Sequence, residues 1–222
     1  FEQANHMEHE VVLHAETDLP NLEDKVVYGE ARFRWLRYDE DVLNDADIWE
    51  LVVGFDGVII SRRLQAVAEA GYINWDSKDT GRTGDDSDYD GFIGTLRLLY
   101  RPWEEQKIQF QLEANRGLGW SAIANYRVDD VMTFSVIYEW IPRRLEVDFT
   151  ASWENHDESE GPDRTMWEIG IGGRYKLYRQ VDLTARYLYR NQTASDEIEL
   201  TADDEVVAET SGKFYQNVFS VG

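Results

Sequence analysis

Residues 91–114 read GFIGTLRLLYRPWEEQKIQFQLEA, two runs of strict alternation joined by a proline-containing turn. Phe92, Gly94, Leu96, Leu98 and Tyr100 fall on one face of a strand, with Ile93, Thr95, Arg97 and Arg101 on the other. After the turn Arg101–Lys107, Ile108, Phe110, Leu112 and Ala114 oppose Gln109, Gln111, Glu113 and Asn115. A period of two places successive residues in two different environments, one apolar and one that accepts Arg, Gln and Glu. Two all-β architectures satisfy that demand. A water-soluble β-sandwich would turn Phe33, Trp35, Phe134 and Trp167 into an inner core. A membrane barrel would turn them outward to lipid. Tyr100 and Trp103 crowd the turn end as an interfacial belt would, and strands of about ten residues or more are long enough to cross a bilayer. The barrel is the expectation.

The same grammar recurs along the chain. Strands are expected from Glu10 to Thr17, from Val27 to Trp35, from Trp49 to Ile59 and from Leu64 to Tyr72, where Trp75 adds another interfacial aromatic. Further strands follow over Met132–Trp140, Leu145–Trp153, Trp167–Tyr175, Val181–Tyr189 and Phe214–Gly222. Residues 116–130 read as a long loop that partly extends its neighbours. Residues 1–9, with His6 and His9, read as a solvated leader. Short turns at Ser61–Arg63, Arg101–Lys107, Ile141–Arg144 and Leu177–Gln180 alternate with long, mostly acidic loops from Asp39, Asp76, Arg116, Glu154 and Asn191. That asymmetry predicts an all-β, antiparallel transmembrane β-barrel of about 12 or more strands, with short turns on one rim and long acidic loops on the other. The visible strands number about eleven, one short of even closure. Residues 1–222 therefore read as a single barrel domain lacking part of one or both ends.

Charge and composition narrow the function. Twenty-two basic residues against 44 acidic ones give a net charge of −22, which excludes nucleic acid as a partner because phosphate binding needs a basic surface. The absence of cysteine removes disulfides, thiol nucleophiles and thiolate metal sites. No apolar run is long enough for a transmembrane helix. The chain begins at Phe1 without a signal-peptide pattern, as a processed or incomplete chain would.

Three stretches carry a family likeness: Gly54-Phe55-Asp56 to Gly71-Tyr72, Ser87-Asp88-Tyr89-Asp90-Gly91, and Leu96-Arg97-Leu98-Leu99-Tyr100-Arg101-Pro102. With the hairpins that follow, ending in Tyr215-Gln216-Asn217-Val218, the chain from about Glu10 onward resembles the outer-membrane β-barrel porins encoded beside exopolysaccharide genes in Gram-negative bacteria. The resemblance implies a porin-like barrel in the bacterial outer membrane, passing polysaccharide or another polar solute or assisting its export. Its partners would be outer-membrane lipid, lipopolysaccharide and polysaccharide-export components. Barrels of this kind usually end in a terminal aromatic, whereas this chain ends in Val221-Gly222, so a C-terminal strand cut short is expected.

The candidate lumen-lining residues are Glu30, Arg32, Arg34, Glu50, Glu69, Arg97, Glu113, Glu146, Asp148, Arg174, Asp182 and Arg186. As a hydrated interior they would pass or hold a polar solute. As mutually paired groups they would fill a small, non-conducting barrel that anchors an assembly or presents acidic loops to a partner. Asp86, Asp88 and Asp90 before Gly91 resemble the first half of a calcium loop, but Arg97 stands where a ligating Glu belongs and a strand follows. Calcium in that acidic loop is the one cofactor the sequence suggests. Glu146 and Asp148 could be taken for a glycosidase pair, yet any two carboxylates two apart on a polar strand face look alike. No nucleophile elbow, phosphate loop or metalloprotease helix is present, and no enzymatic role is expected.

Overall fold

The computed structural model describes residues 6–19, 24–38, 45–60, 63–78, 88–103, 107–119, 126–159, 163–178, 181–196, 201–202, 205–206 and 210–221. At residues 6 and 38 and from residue 194 onward the description is of backbone. The strands are β1 (His6–Asp18), β2 (Lys25–Tyr38), β3 (Asp45–Ile60), β4 (Leu64–Lys78), β5 (Tyr89–Tyr100), β6 (Ile108–Gly119), β7 (Arg127–Ile141), β8 (Leu145–Glu158), β9 (Arg164–Tyr178), β10 (Val181–Asp196), β11 (Thr201–Ala202), β12 (Glu205–Val206) and β13 (Thr210–Val221). One 11-stranded sheet runs β1 through β10 in chain order and ends on β13, while β11 and β12 pair as a separate small ladder. Every recorded pairing in the large sheet is antiparallel.

The expected closed barrel of about 12 or more strands is not what these residues form. The sheet is open, with β1 and β13 at its edges. Eleven strands, each antiparallel to the last, leave β1 and β13 running the same way, so an antiparallel ladder between these two is excluded.

Connections alternate between two ends. β1 and β2, β3 and β4, β5 and β6, β7 and β8, and β9 and β10 follow one another at the turn end, and β2 and β3, β4 and β5, β6 and β7, β8 and β9, and β10 and β13 at the loop end. Pro102 and Pro142 sit in turn-end connections, where the missing N–H costs no ladder bond. One expectation holds and one needs correction. The ends of the stretch 116–130 extend the neighbouring strands as expected, since β6 continues to Gly119 and β7 starts at Arg127. The segment expected to be a leader is strand from His6, where Met7 faces Arg37 and His9 faces Trp35 across the ladder.

Register sorts the side chains onto two faces, since directly opposed residues point the same way. The apolar face is banded. At its loop-end margin run Phe33, Trp49, Tyr72, Phe92, Trp153 and Trp167; ring centroids lie 5.7 Å apart for Trp49–Tyr72 and Tyr72–Phe92, and 6.3 Å for Trp153–Trp167. Near the turn end Tyr100 stacks on Phe110 at 6.2 Å and Tyr138 meets Trp140 at 6.3 Å. Between these margins the face stays apolar, with Leu51, Val53, Ile169 and Ile171 exposed and with Phe149 and Tyr187 opposite Ile171 on either side. From Phe92 to Tyr100, or Trp167 to Tyr175, the band is about 26 Å tall along the strand. Beyond its loop-end margin come ion pairs: Arg37 with Asp47 at 2.7 Å, Lys78 with Asp47, and Arg116 with Asp130 at 2.9 Å.

The packed core is small and lies on the other face. Leu36, Ala46, Ile48, Ile73, Trp75, Tyr126 and Val128 form it, with Tyr89, Ile93 and Leu118 against its margin. All sit near the loop end of their strands.

Candidate functional site

On the polar face, period-two alternation and ladder register together bring the ionisable side chains into rows. The ladder opposes Arg32 to Glu50, Glu69 to Thr95 through the next strand, Arg97 to Glu113, Glu146 to Arg174, and Arg174 in turn to Thr184. Asp148 and Arg186 both stand opposite Gly172, and Asp182 stands opposite Lys176. All twelve residues singled out by alternation share this face. The structure does not, however, bring them into one cluster.

The densest group spans β1 to β3. Arg32 lies 3.7 Å from Glu10 and 3.6 Å from Glu50, and also pairs with Glu30. Arg34 reaches Glu50 at 3.7 Å, and His14 lies 3.3 Å from Glu30. Glu50 is the one buried charged residue among those described, at 8% exposure. Two guanidinium groups beside it supply the compensation that a buried carboxylate requires. Arg34 Nε is buried and has no hydrogen-bond partner among the described residues.

Next to this group the polar face is hollow. A cavity of about 380 Å³ is lined by Tyr28, Glu30, Arg32, Arg34, Glu50 and Glu69, and also by Asn115 and Arg116 of β6. Strands β2 and β6 are separated in the sheet by three others, so one cavity touching both requires the sheet to curl with its polar face concave. A second hollow of about 510 Å³ lies towards the turn end, beside Asp24, Asp56, Gln65, Arg97, Gln111 and Glu113. There Arg97 and Glu113 face each other at 3.7 Å and are both 63% exposed.

Further along, the face carries pairs that alternation did not single out. Arg190 donates to Glu168 at 2.7 Å. Arg127 lies 2.6 Å from Asp129, which also meets His156 Nδ1 at 2.5 Å, and His156 Nε2 lies 3.4 Å from Glu154. Their even spacing on β7 and β8 was the available signal. At the adjoining connection, partial burial raises the pKa of the Asp163 carboxyl above the usual range. A hydrogen bond with Asp157 and the charges of Asp157 and Glu158 push it the same way.

Trp75 is placed differently from expectation. It is 4% exposed and sits on the polar face within the apolar core, not at a lipid interface. Register explains why: Trp75 opposes Ile48 and Tyr89, which belong to the same face as Arg34.

Of the calcium candidates, Asp86 lies outside the described residues. Asp88 Oδ1 accepts the Ser77 N–H at 2.8 Å, and its carbonyl accepts the Tyr126 hydroxyl at 3.2 Å. Asp90 accepts the Tyr72 hydroxyl at 2.5 Å on the opposite face. Among the described residues no cluster of three or more His, Cys, Asp or Glu side chains could hold a metal. Glu146 and Asp148, the carboxylates two apart, face Arg174 and Gly172 respectively. No family model matches the chain, and no curated protein matches it either.

Proposed function

We propose that this chain forms the wall of a porin-like transmembrane β-barrel of the bacterial outer membrane, with its charged face as a wet interior that passes, or assists export of, a polar solute. One observation carries the reading. A single face holds an apolar band of membrane height, with aromatic residues at both margins and some within it and ion pairs beyond the loop-end margin, while the opposite face is charged and concave. In water, such an exposed apolar surface would be a liability for aggregation. In a bilayer it is the surface that lipid tails and lipopolysaccharide cover.

The likeness to exopolysaccharide-associated porins supplies polysaccharide as the solute class, and polysaccharide-export components as partners. Closing this sheet by antiparallel pairing takes an odd number of additional strands between β13 and β1. The mixed charges of Glu30, Arg32, Arg34, Glu50, Glu69, Arg97, Glu113, Glu146, Asp148, Arg174, Asp182 and Arg186 would give that interior fixed fields of both signs.

Reconstitution tests this. The full-length protein should float with liposomes, need detergent for extraction, and give stepwise conductance in a planar bilayer. A monomer soluble without detergent would end the barrel reading. If it conducts, replacing Arg32, Arg34, Arg97 and Arg186 by Ser should shift selectivity towards cations, because positive charge leaves an acidic lumen. The second reading is a non-conducting barrel that anchors an assembly or presents acidic loops to a partner. It is favoured by the apolar core on the otherwise charged face. A folded, inserted protein without conductance would support it.

A further inference from the structure

The deepest burial in the described molecule is in an unexpected place. Leu36, Ile48, Ile73 and Trp75 are 4% exposed or less, yet they extend the polar face of β2, β3 and β4 at its loop end. Had they only been apolar residues of a two-faced sheet, they would lie on the convex, banded side.

Tyr126 and Val128, at the start of β7, belong to the same cluster, with Leu118 of β6 against it. The β5–β6 ladder stops at Gly94 and Arg116, although β5 starts at Tyr89 and β6 runs on to Gly119. Past that point β6 stays paired only with β7, through Leu118–Val128 and Gly119–Arg127. The sheet is thus split here between β5 and β6, while β7 stays paired with β8 to Arg127, and Leu118, Tyr126 and Val128 pack with the apolar residues of the polar face. Tyr126 is tied on both sides. Its ring lies 6.1 Å from that of Trp75 and 5.3 Å from that of Tyr89, and its hydroxyl donates to the Asp88 carbonyl. The Ser159 N–H donates to the Tyr126 carbonyl at 3.0 Å, from the connection after β8.

Exposure along the polar face follows from this. Arg97 at the turn end is 63% exposed, Arg32 37%, Arg34 20% and Ile73 1%. The cavity beside Glu30 and Arg32 is bounded on the loop side by Ile73, Ile93 and Leu118. The hollow beside Arg97 and Glu113 lies at the turn end.

We infer that the charged hollow is blind: an apolar plug of Leu36, Ile48, Ile73, Trp75, Tyr126 and Val128 shuts it at the loop end, and polar solutes enter from the turn end. The inference rests on the polar face being the interior, as proposed above. A hollow with one entrance passes nothing across a bilayer, so the inference deepens the second, non-conducting reading of that barrel, and stepwise conductance would count against it. An apolar constriction of this kind excludes water and ions without any charge barrier.

The chain has no cysteine, so a single introduced thiol reports its own surroundings. The probe is the anionic reagent 2-sulfonatoethyl methanethiosulfonate, applied to the folded full-length chain in detergent. Glu113→Cys should react at the rate of an open thiol, and Ile73→Cys on the order of 100-fold more slowly, because reaction there needs local opening. Adding Tyr126→Ala should speed the Ile73→Cys reaction about tenfold or more and leave Glu113→Cys unchanged. Ile48→Cys serves in the same way if Ile73→Cys does not fold. Ile73→Cys or Ile48→Cys reacting within about threefold of Glu113→Cys, in protein with native β-sheet circular dichroism, overturns the plug. Liposome flotation is scored separately. Loss of insertion with the reactivity contrast intact defeats the barrel reading alone, and insertion with a flat contrast defeats the plug alone.

Discussion

Tyr28 on β2 donates its phenolic hydrogen to Glu69 on β4, reaching across β3 at Gly54. Gly54 stands opposite Tyr28 in one ladder and opposite Glu69 in the other, and a Cβ there would fall on the Tyr28 ring. Glycine at this site is a matter of space: the ring needs the volume that a side chain would occupy. Gly54→Ala should therefore destabilise the protein by about 1–3 kcal/mol, the usual cost of overpacking. Tyr28→Ala should cancel most of that penalty in a double-mutant cycle read by urea unfolding. An additive pair of effects would mean that the ring does not need Gly54.

The charge network should be uneven in energy as it is in burial. Glu50 is 8% exposed between Arg32 and Arg34, whereas Arg97 and Glu113 pair in the open. Glu50→Ala should cost about 2 kcal/mol, less than for a fully buried pair because Arg32 keeps Glu10 and Glu30. Arg97→Ala should cost under about 1 kcal/mol, since a solvated pair is screened. Equal losses in denaturant midpoint would contradict the burial gradient along the polar face.

Asp163 gives a pH dependence whose sign is unusual for a carboxyl. Partial burial, together with Asp157 and Glu158, raises its folded pKa above the unfolded value. The folded protein then binds the proton more tightly, so stability is present while the group is protonated and declines as pH rises through the carboxylate range. Asp163→Asn should thus raise the unfolding midpoint at about pH 7 and leave it nearly unchanged at about pH 3, below both pKa values. An increment that does not vary with pH would show that the Asp157–Asp163 contact contributes nothing to the linkage.

Alternation in the sequence carried much of this architecture because side chains on a strand have only two directions. Glu30, Arg32, Arg34 and their counterparts, on eight strands in all, share a face for that reason alone. The same rule could not locate Trp75. At Ile73 and Trp75 the residues are apolar on the polar face, and period two says which face a residue takes but not what covers it. Part of the cover comes from Tyr126, which precedes β7 and meets Trp75 where β6 parts from β5 after Arg116. That departure depends on pairing between distant segments, which leaves no periodic trace. The odd strand count was legible, since about eleven alternating runs can be read from the sequence and the sheet has eleven strands.

Arg143 is one of two non-glycine residues with positive φ among those described, at 62° in the turn between β7 and β8. The Glu139 carboxylate accepts its backbone N–H and holds the turn. Arg143→Gly should stabilise the protein by about 1 kcal/mol by relieving the left-handed strain. Arg143→Val should destabilise it, because a β-branched side chain fits that conformation worst. Urea midpoints in the reverse order would mean that the arginine side chain contributes more to the turn than its backbone costs.

The membrane assignment is most exposed to test at Ile171. It is 53% exposed on β9, between Trp167 and Tyr175 and so near the middle of the apolar band. If lipid covers that face, Ile171→Arg places a guanidinium near the bilayer midplane and should cost about 2–4 kcal/mol in refolding into liposomes. Tyr175→Arg, at the turn-end margin, should cost about 1 kcal/mol or less, because the penalty falls towards the interface. In a water-soluble sheet the order would vanish: replacing an exposed isoleucine by arginine is near neutral and aids solubility. A depth-dependent penalty along β9 therefore separates lipid from water as the medium facing the band. Equal, small effects at Ile171 and Tyr175 would end the transmembrane reading.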